Sequence, residues 1–584
     1  MLPTPSLLRL LAFSIAVVAG YPSRRPIVDL GYEKYQAVDQ GNETTTYYSF
    51  SNIRYASPPV DDLRWKAPVP PRANRSSIQS NPQVITCPQG STTWQIKTSI
   101  TTNEYLESGK VPNVSYSNLE TMMQSGQEDC LFLDVLAPKN AFGHVKSGAR
   151  VPVMVWIHGG GFMAGSKTDF GSAKTLVDRA NEDSSDPMVY VALNYRLGGF
   201  GFLAGPSFEK EGGLLNAGLF DQRMALQWIQ DNIHLFGGDK NQVTVVGESG
   251  GSGSIMHHIT AGGNNNPAFQ RAILQSPAYF PYRSAVENQK AFRSFMGHAN
   301  VTSLAEARGL PSDILIAANS RSLGEALPYA SPVYSPTPDG DIVLYDPKLR
   351  LSRGEFHRSI EIITSHNSDE GLTLVPAIHT CQEYETLLRS LFTRVNNSTI
   401  NHIVNVLYPP IFDGSMGYTN NLQRAAKTVG EAIIDCNSVS LGLAFGLRAH
   451  AYYFSTYPGL HAQDTSYTFY NPGAQSSYSL VDTGAVNQTL AYIMQDYIAN
   501  FAKSGQVKSE LDGLSEIPPY GSHGTSVQLD SAGVKLVGDP ALTSRCEWWA
   551  SLDYQGPSGS GPGAFFSKDK AWIIELMVFN LFQW

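Results

Sequence analysis

The sequence predicts an α/β protein, with a large, mostly parallel central sheet flanked by helices. Three segments carry that expectation. Val151-Pro-Val-Met-Val-Trp-Ile157 is a short continuous apolar run, and Val243, Val245 and Val246 form the core of another. β-Branched runs of this length suit strands buried on both faces. Between them, residues 220–236 read as a helix: Met224, Ala225, Trp228, Ile229 and Ile233 form one apolar stripe, and Gly237-Gly238 would stop it. Strands alternating with helices favour a parallel sheet covered on both sides.

In chain order, the first twenty residues are a targeting segment rather than fold. Arg9 flanks the apolar stretch 10–19, small residues follow, and then Tyr21-Pro22. The stretch is too short to span a bilayer and fits a secretory signal peptide over 1–20, cleaved after Ala19 or Gly20. Seven Asn-x-Ser/Thr sites, at Asn42, Asn74, Asn113, Asn300, Asn396, Asn397 and Asn487, are compatible with passage through a glycosylating pathway. One catalytic domain is expected over 21–555, because the motifs below are spread along the chain with no long low-complexity linker between them.

The strand 151–157 ends in His158-Gly159-Gly160-Gly161-Phe162. Consecutive glycines let the main chain approach a ligand closely. Acyl transfer needs such an approach, because several N–H groups must converge on the oxygen where negative charge develops. About ninety residues later, the second apolar run breaks into Gly247-Glu248-Ser249-Gly250-Gly251, followed by a small and aliphatic helix entry over 252–261. Strand, sharp turn and helix are the setting in which G-x-S-x-G exposes a nucleophile, here Ser249. Gly160, Gly161 and Gly250 are the expected oxyanion-hole donors.

These and several further segments resemble the type-B carboxylesterase, lipase and cholinesterase family of α/β-hydrolases, in particular its secreted fungal members. Residues 50–71, with Ile53, Tyr55-Ala56, Pro58-Pro59 and Leu63-Arg64-Trp65, resemble one family signature. Glu128-Asp129-Cys130-Leu131-Phe132-Leu133-Asp134-Val135 resembles a second. Residues 194–202 and 216–238 resemble two more, and the set spans about residues 30 to 550 in family order. The resemblance implies the α/β-hydrolase fold and ester hydrolysis through an acyl-enzyme. One departure is Gly250, where the family commonly has Ala.

A serine nucleophile needs a base within hydrogen-bond reach and an acid that orients the base. The family order is Ser, then Asp or Glu, then His. The run 360–363 reads as a strand, and the loop after it carries Asp369-Glu370-Gly371; the resemblance selects Glu370, with Asp369 the alternative. The run 451–454 reads as the next strand, and the family places its base in the loop that follows, which selects His461. Ser276 and Asp464 match family positions that form a supporting layer around the triad, and ordinary loop polarity explains them equally well. His257 and His258 lie too close in sequence to swing back onto Ser249. His366 reads as a polar residue of the acid loop.

Five cysteines favour an oxidising compartment. By resemblance, Cys87 and Cys130 form a disulfide. Cys436 and Cys546 fall in helix-like segments that could dock and pair, which leaves Cys381 single. The insert 88–129 carries Trp94, Ile96, Tyr105, Leu106, Val111, Tyr116, Leu119, Met122 and Met123. In lipases of the family the corresponding loop is a mobile flap; a loop packed on itself fits as well. Residues 556–563 are a Gly/Ser/Pro linker, and the apolar tail 571–584 is too short to span a membrane.

A formal charge of −9 and the lack of a basic run argue against nucleic acid as a partner. No H-E-x-x-H or Cys/His metal spacing occurs, so no cofactor is expected. The expected partner is a small-molecule or lipid ester, with no stable membrane span. The sequence carries no signal of oligomeric state. The competing class is a cholinesterase-like adhesion protein without chemistry, and Ser249, Glu370 and His461 together favour the secreted hydrolase over it.

Overall fold

The computed structural model describes residues 25–38, 46–114, 125–143, 150–182, 186–262, 267–325, 332–473, 481–514 and 516–551. The signal segment, Asn42, Tyr116, Leu119, Met122, Met123, the linker and the apolar tail lie outside the described residues.

Ten strands form one sheet: β1 Tyr47–Arg54, β2 Phe132–Pro138, β3 Val151–Ile157, β4 Val189–Leu193, β5 Gly238–Glu248, β6 Arg271–Gln275, β7 Glu361–Asn367, β8 Ala449–Phe454, β9 Thr525–Asp530 and β10 Gly533–Gly538. Their spatial order is β10-β9-β8-β7-β6-β5-β3-β4-β2-β1. Every pairing from β9 across to β4 is parallel, and antiparallel strands finish both edges. The principal helices are α1 Thr93–Ser108, α2 Lys174–Ala180, α3 Ala217–Asn232, α4 Gly250–Ile259, α5 Cys381–Leu391, α6 Asn421–Gly430, α7 Cys436–Phe445, α8 Gln488–Ser504 and α9 Ser544–Ala550.

The continuous apolar runs are explained by burial on both sides. Val153, Val155, Ile157, Val243 and Val245 pack into the core that α3 and α4 cover, whereas Met154, Trp156 and Val246 pack into the core under α2 and α8. In α3 the predicted stripe is buried at Ala225, Trp228 and Ile229. A short 3-10 turn carries the chain on to Gly237, which stops it in the left-handed region at φ 91°. A third apolar cluster joins α5, α6, α7 and α9 with Ala278, Leu372, Leu374 and Leu460, residues that follow the C-terminal ends of β6, β7 and β8. The helical cap therefore sits over the edge of the sheet where the loops gather.

The structure gives the signature segments a physical meaning. Arg64 donates from Nε and Nη2 to the Glu128 carboxylate at 2.8 and 2.7 Å, and Arg196 grips Asp221 in the same way at 2.7 Å each. All four side chains are buried. Arg64 also donates to the carbonyls of Arg308 and Leu310, which ties the N-terminal signature to a segment far along the chain. Removing one partner of such a pair strands the other in low dielectric and costs about 3–5 kcal/mol. Arg196→Met should therefore lower the urea midpoint of unfolding far more than Arg75→Met, whose ion pair with Asp29 is exposed.

Disulfides join Cys87 to Cys130 and Cys436 to Cys546, and Cys381 is free and exposed. One expectation needs correction. The strand read as 360–363 continues to Asn367, so His366 belongs to β7 and not to the acid loop. Three side chains of its buried polar end find partners: Thr364 bonds Ser438 at 2.9 Å, His366 Nε2 lies 2.9 Å from Asp539, and Asn367 donates to the Leu460 carbonyl at 2.7 Å. Apolar periodicity cannot register a strand that ends in satisfied polar groups.

Candidate active site

Ser249 is the single residue between β5 and α4, with φ 52° and ψ −120°. This conformation is costly for an L residue and persists where its surroundings impose it. Here the main chain is fixed on both sides: Ser249 N–H donates to the Gln275 carbonyl at 3.0 Å, and the Ser249 carbonyl accepts from Gly253 at 2.8 Å and Ala278 at 3.2 Å. The turn also brings α4 hard against β3. A Cβ at Gly251 would collide with the Ile157 carbonyl oxygen, so that position admits only glycine.

The side chains chosen from sequence converge. His461 Nε2 lies 2.9 Å from Ser249 Oγ, and His461 Nδ1 lies 2.6 Å from Glu370 Oε2. The other Glu370 oxygen accepts from Ser276 Oγ and from the Asn367 N–H, each at 2.6 Å. With Nδ1–H given to Glu370, Nε2 is left to accept the Ser249 hydroxyl. Asp369 contributes its backbone, which pairs with the His461 loop by donating to the Gly459 carbonyl at 2.8 Å. Asp464 does not touch His461. It accepts from Tyr452 Oη at 2.7 Å and Gln275 Nε2 at 3.2 Å, and its other oxygen lies 3.5 Å from Asn367 Nδ2.

Electrostatics follow from this burial. Burial opposes charge on His461, but the carboxylates of Glu370 and Glu248 outweigh it and raise its pKa to about 9. Burial likewise favours neutral Glu370, yet the His461 charge and the hydrogen bonds from His461, Ser276 and Asn367 hold it below the ordinary glutamate value. Asp464 is pushed up to about 6, chiefly by burial.

Glu248 is the site residue that sequence reasoning missed. It is fully buried, its Oε1 lies 3.3 Å from His461 Nε2, and neither oxygen has a hydrogen-bond partner among the described residues. Burial, aided by Asp464 and Glu370, raises it to about 8 despite the pull of His461. The available signal was a carboxylate closing a buried strand directly before the turn. Like-charged groups and desolvation at one point mark functional sites.

The glycine loop lies against the turn. An ideal Cβ on Gly159 would stand 3.2 Å from Ser249 Cβ, and one on Gly250 would stand 3.3 Å from the amide nitrogens of Gly161 and Phe162. Gly160, at φ 104°, has no room for a side chain beside the Ala164 carbonyl. The N–H groups of Gly160 and Gly161 have no backbone acceptor among the described residues. His158 props the loop as a neutral ring: burial lowers it to about 4, and it stacks on Tyr195 at 4.4 Å. The departure at Gly250 leaves space in which an alanine methyl would fit after a shift of a few tenths of an ångström.

Ser249, His461, Glu248, Gly160 and Gly161 open onto a cavity of about 530 Å³ including its mouth, with Trp94, Met163, Ala278, Phe280, Leu374 and Ile434 in its wall.

Comparison with known proteins gives a family and a shared fold. A model of the carboxylesterase family matches residues 34–549. The chain is 37% identical over 577 residues to the carboxylesterase patB of Aspergillus clavatus, covering 95% of this chain and all of that protein. It is 30% identical to a secreted lipase of Arthroderma benhamiae, covering 76% of this chain and 86% of the lipase. The crystal structure of Aspergillus niger EstA shares the fold, with a TM-score of 0.73 at 23% identity over 91% of this chain and 99% of that one.

Proposed function

The chain belongs to the carboxylesterase family and is a carboxylic ester hydrolase; on that premise we propose that Ser249, His461 and Glu370 are its catalytic triad. The observation that carries the assignment is the unbroken hydrogen-bond chain from Ser249 Oγ through His461 to Glu370, beside glycine N–H groups. His461 takes the hydroxyl proton as Ser249 attacks the ester carbonyl, and Glu370 stabilises the imidazolium formed. Gly160, Gly161 and Gly250 hold the oxyanion. The alcohol leaves with the proton from His461, and water then releases the acid by the same path. Ser276 and Asn367 fix Glu370, while Asp464 positions Asn367 and Tyr452 behind it.

The test is pre-steady-state. Mixing enzyme with p-nitrophenyl acetate should give a burst of p-nitrophenol close to one equivalent, since an acyl-enzyme accumulates when deacylation is slower. A linear trace from time zero, with the burst still missing for activated esters of slower deacylation, would oppose a covalent route.

Glu248 adds a pH signature. The imidazole must be neutral to accept the serine proton, so kcat/KM rises as His461 loses its proton. The negative charge of Glu248 favours the protonated ring. Glu248→Gln removes that charge at constant shape, so the rising limb of kcat/KM should move to lower pH. An unmoved limb would show that Glu248 carries no charge while His461 titrates.

The protein is proposed to be secreted. The expected signal segment 1–20, two disulfides and similarity to a protein named as a secreted lipase support this. Mass spectrometry of the mature N-terminus should find Gly20 or Tyr21 first.

A further inference from the structure

The helix α1 lies within the Cys87–Cys130 loop and forms one wall of the cavity at Ser249. A lid must be able to leave, and it must offer an apolar face to a lipid surface when it does. α1 meets neither condition. Its fully buried side chains are Trp94, Thr98, Thr101 and Thr102, three of them hydroxylic, and Tyr105 and Leu106 pack partly buried against the helical cap rather than facing out. The exposed end is Glu104, Glu107 and Ser108.

The helix is also tied to separate parts of the chain. Thr93 Oγ1 donates to the Gly324 carbonyl at 2.6 Å, and Thr102 Oγ1 donates to the Leu372 carbonyl at 3.1 Å. Asn103 accepts from the Asp482 N–H at 3.3 Å, and Asn420 donates to Tyr105 at 3.3 Å. A full capping box at Thr92 and Gln95 closes its first turn. Just before it, Gly90 N–H donates to the Met163 carbonyl and Gln89 accepts from the Gly165 N–H, both in the glycine loop. Moving α1 would break these bonds and disturb the loop proposed to hold the oxyanion.

We propose that α1 is a fixed wall and that Trp94 limits the acyl side of the cavity, so that the enzyme takes esters of compact acyl groups from solution and gains nothing from a lipid–water interface. The proposal rests on Ser249 as the nucleophile. Trp94 is the largest side chain of the wall, is 5% exposed, and belongs to the apolar cluster of the helical cap together with Leu372, Leu374 and Ile434.

The test measures kcat/KM for p-nitrophenyl acetate, butyrate and octanoate, and the rate on tributyrin through its solubility limit. The enzyme should favour acetate or butyrate and be at least about ten-fold slower on octanoate, because unaccommodated methylenes carry factors of that size. The tributyrin rate should saturate smoothly. Trp94→Ala, or Trp94→Leu if the smaller residue does not fold, should raise the octanoate-to-butyrate ratio at least about ten-fold. A preference for octanoate, a rate step at the solubility limit, or a ratio unchanged by both substitutions would overturn the proposal. Hydrolysis of these esters that survives Ser249→Ala would instead remove Ser249 from its role, and this proposal with it.

Discussion

Ser249→Ala is expected to reduce kcat on a p-nitrophenyl ester by about a million-fold while leaving the fold intact. The fold should survive because the turn is held by main-chain atoms. The Ser249 N–H to Gln275 bond and the carbonyl bonds from Gly253 and Ala278 do not involve the hydroxyl. Alanine meets the same backbone constraint at φ 52° as serine does, so the strain is unchanged. What is lost is the nucleophilic oxygen that His461 activates. Residual hydrolysis, about a thousand-fold or more above water, should persist from the glycine N–H groups and substrate positioning. The measurement is kcat for purified wild type and variant, with thermal unfolding as the control. Activity within a hundred-fold of wild type would place the nucleophile elsewhere.

Glu370→Gln is expected to lower kcat by about ten-thousand-fold, although the substitution changes no volume. The reason lies in the donors around Glu370. Ser276 Oγ and the Asn367 N–H both point at Oε1, so a glutamine will turn its carbonyl oxygen toward them. Its NH₂ group then faces His461 Nδ1, which must accept instead of donate. The ring proton moves to Nε2, and His461 can no longer take the Ser249 proton. Removing the Ser276 donor relaxes that constraint, so Ser276→Ala in the Glu370→Gln background should recover part of the lost rate. A single Glu370→Gln enzyme within ten-fold of wild type would mean that the tautomer of His461 is set by another group.

The turn at Ser249 and the loop at Gly160 were legible because their chemistry is local. Glycines at fixed offsets follow continuous apolar runs, and the structure shows that Gly251 and Gly160 have no space for a side chain. The sheet was legible for a related reason: β3 and β5 are apolar on both faces, and both faces are covered. The choice between Asp369 and Glu370 was not a local matter. It depends on the backbone of Asp369 pairing beside Leu460, which aims the next side chain at His461. The resemblance to a family selects Glu370 where pattern alone leaves both open.

Glu248 and His366 show where pattern reading stops. Both are polar residues at the buried ends of strands, and their environment is set by segments far away in sequence: His461 and Asp464 for one, Asp539 for the other. The helix α1 is hard to read from pattern because three of its four fully buried side chains are threonine, which breaks the apolar period. Two helix-like segments suggest the pairing of Cys436 with Cys546, and the structure places both cysteines at the contact between α7 and α9.

The most direct measurement of the central claim is peptide mapping after reaction with diisopropyl fluorophosphate. One label per chain should form, on the peptide that contains Ser249, with loss of ester hydrolysis in proportion to labelling, and His461→Ala should slow that labelling by orders of magnitude. Full inactivation with the label on any other residue, or hydrolysis that continues while Ser249 is fully modified, would contradict the assignment.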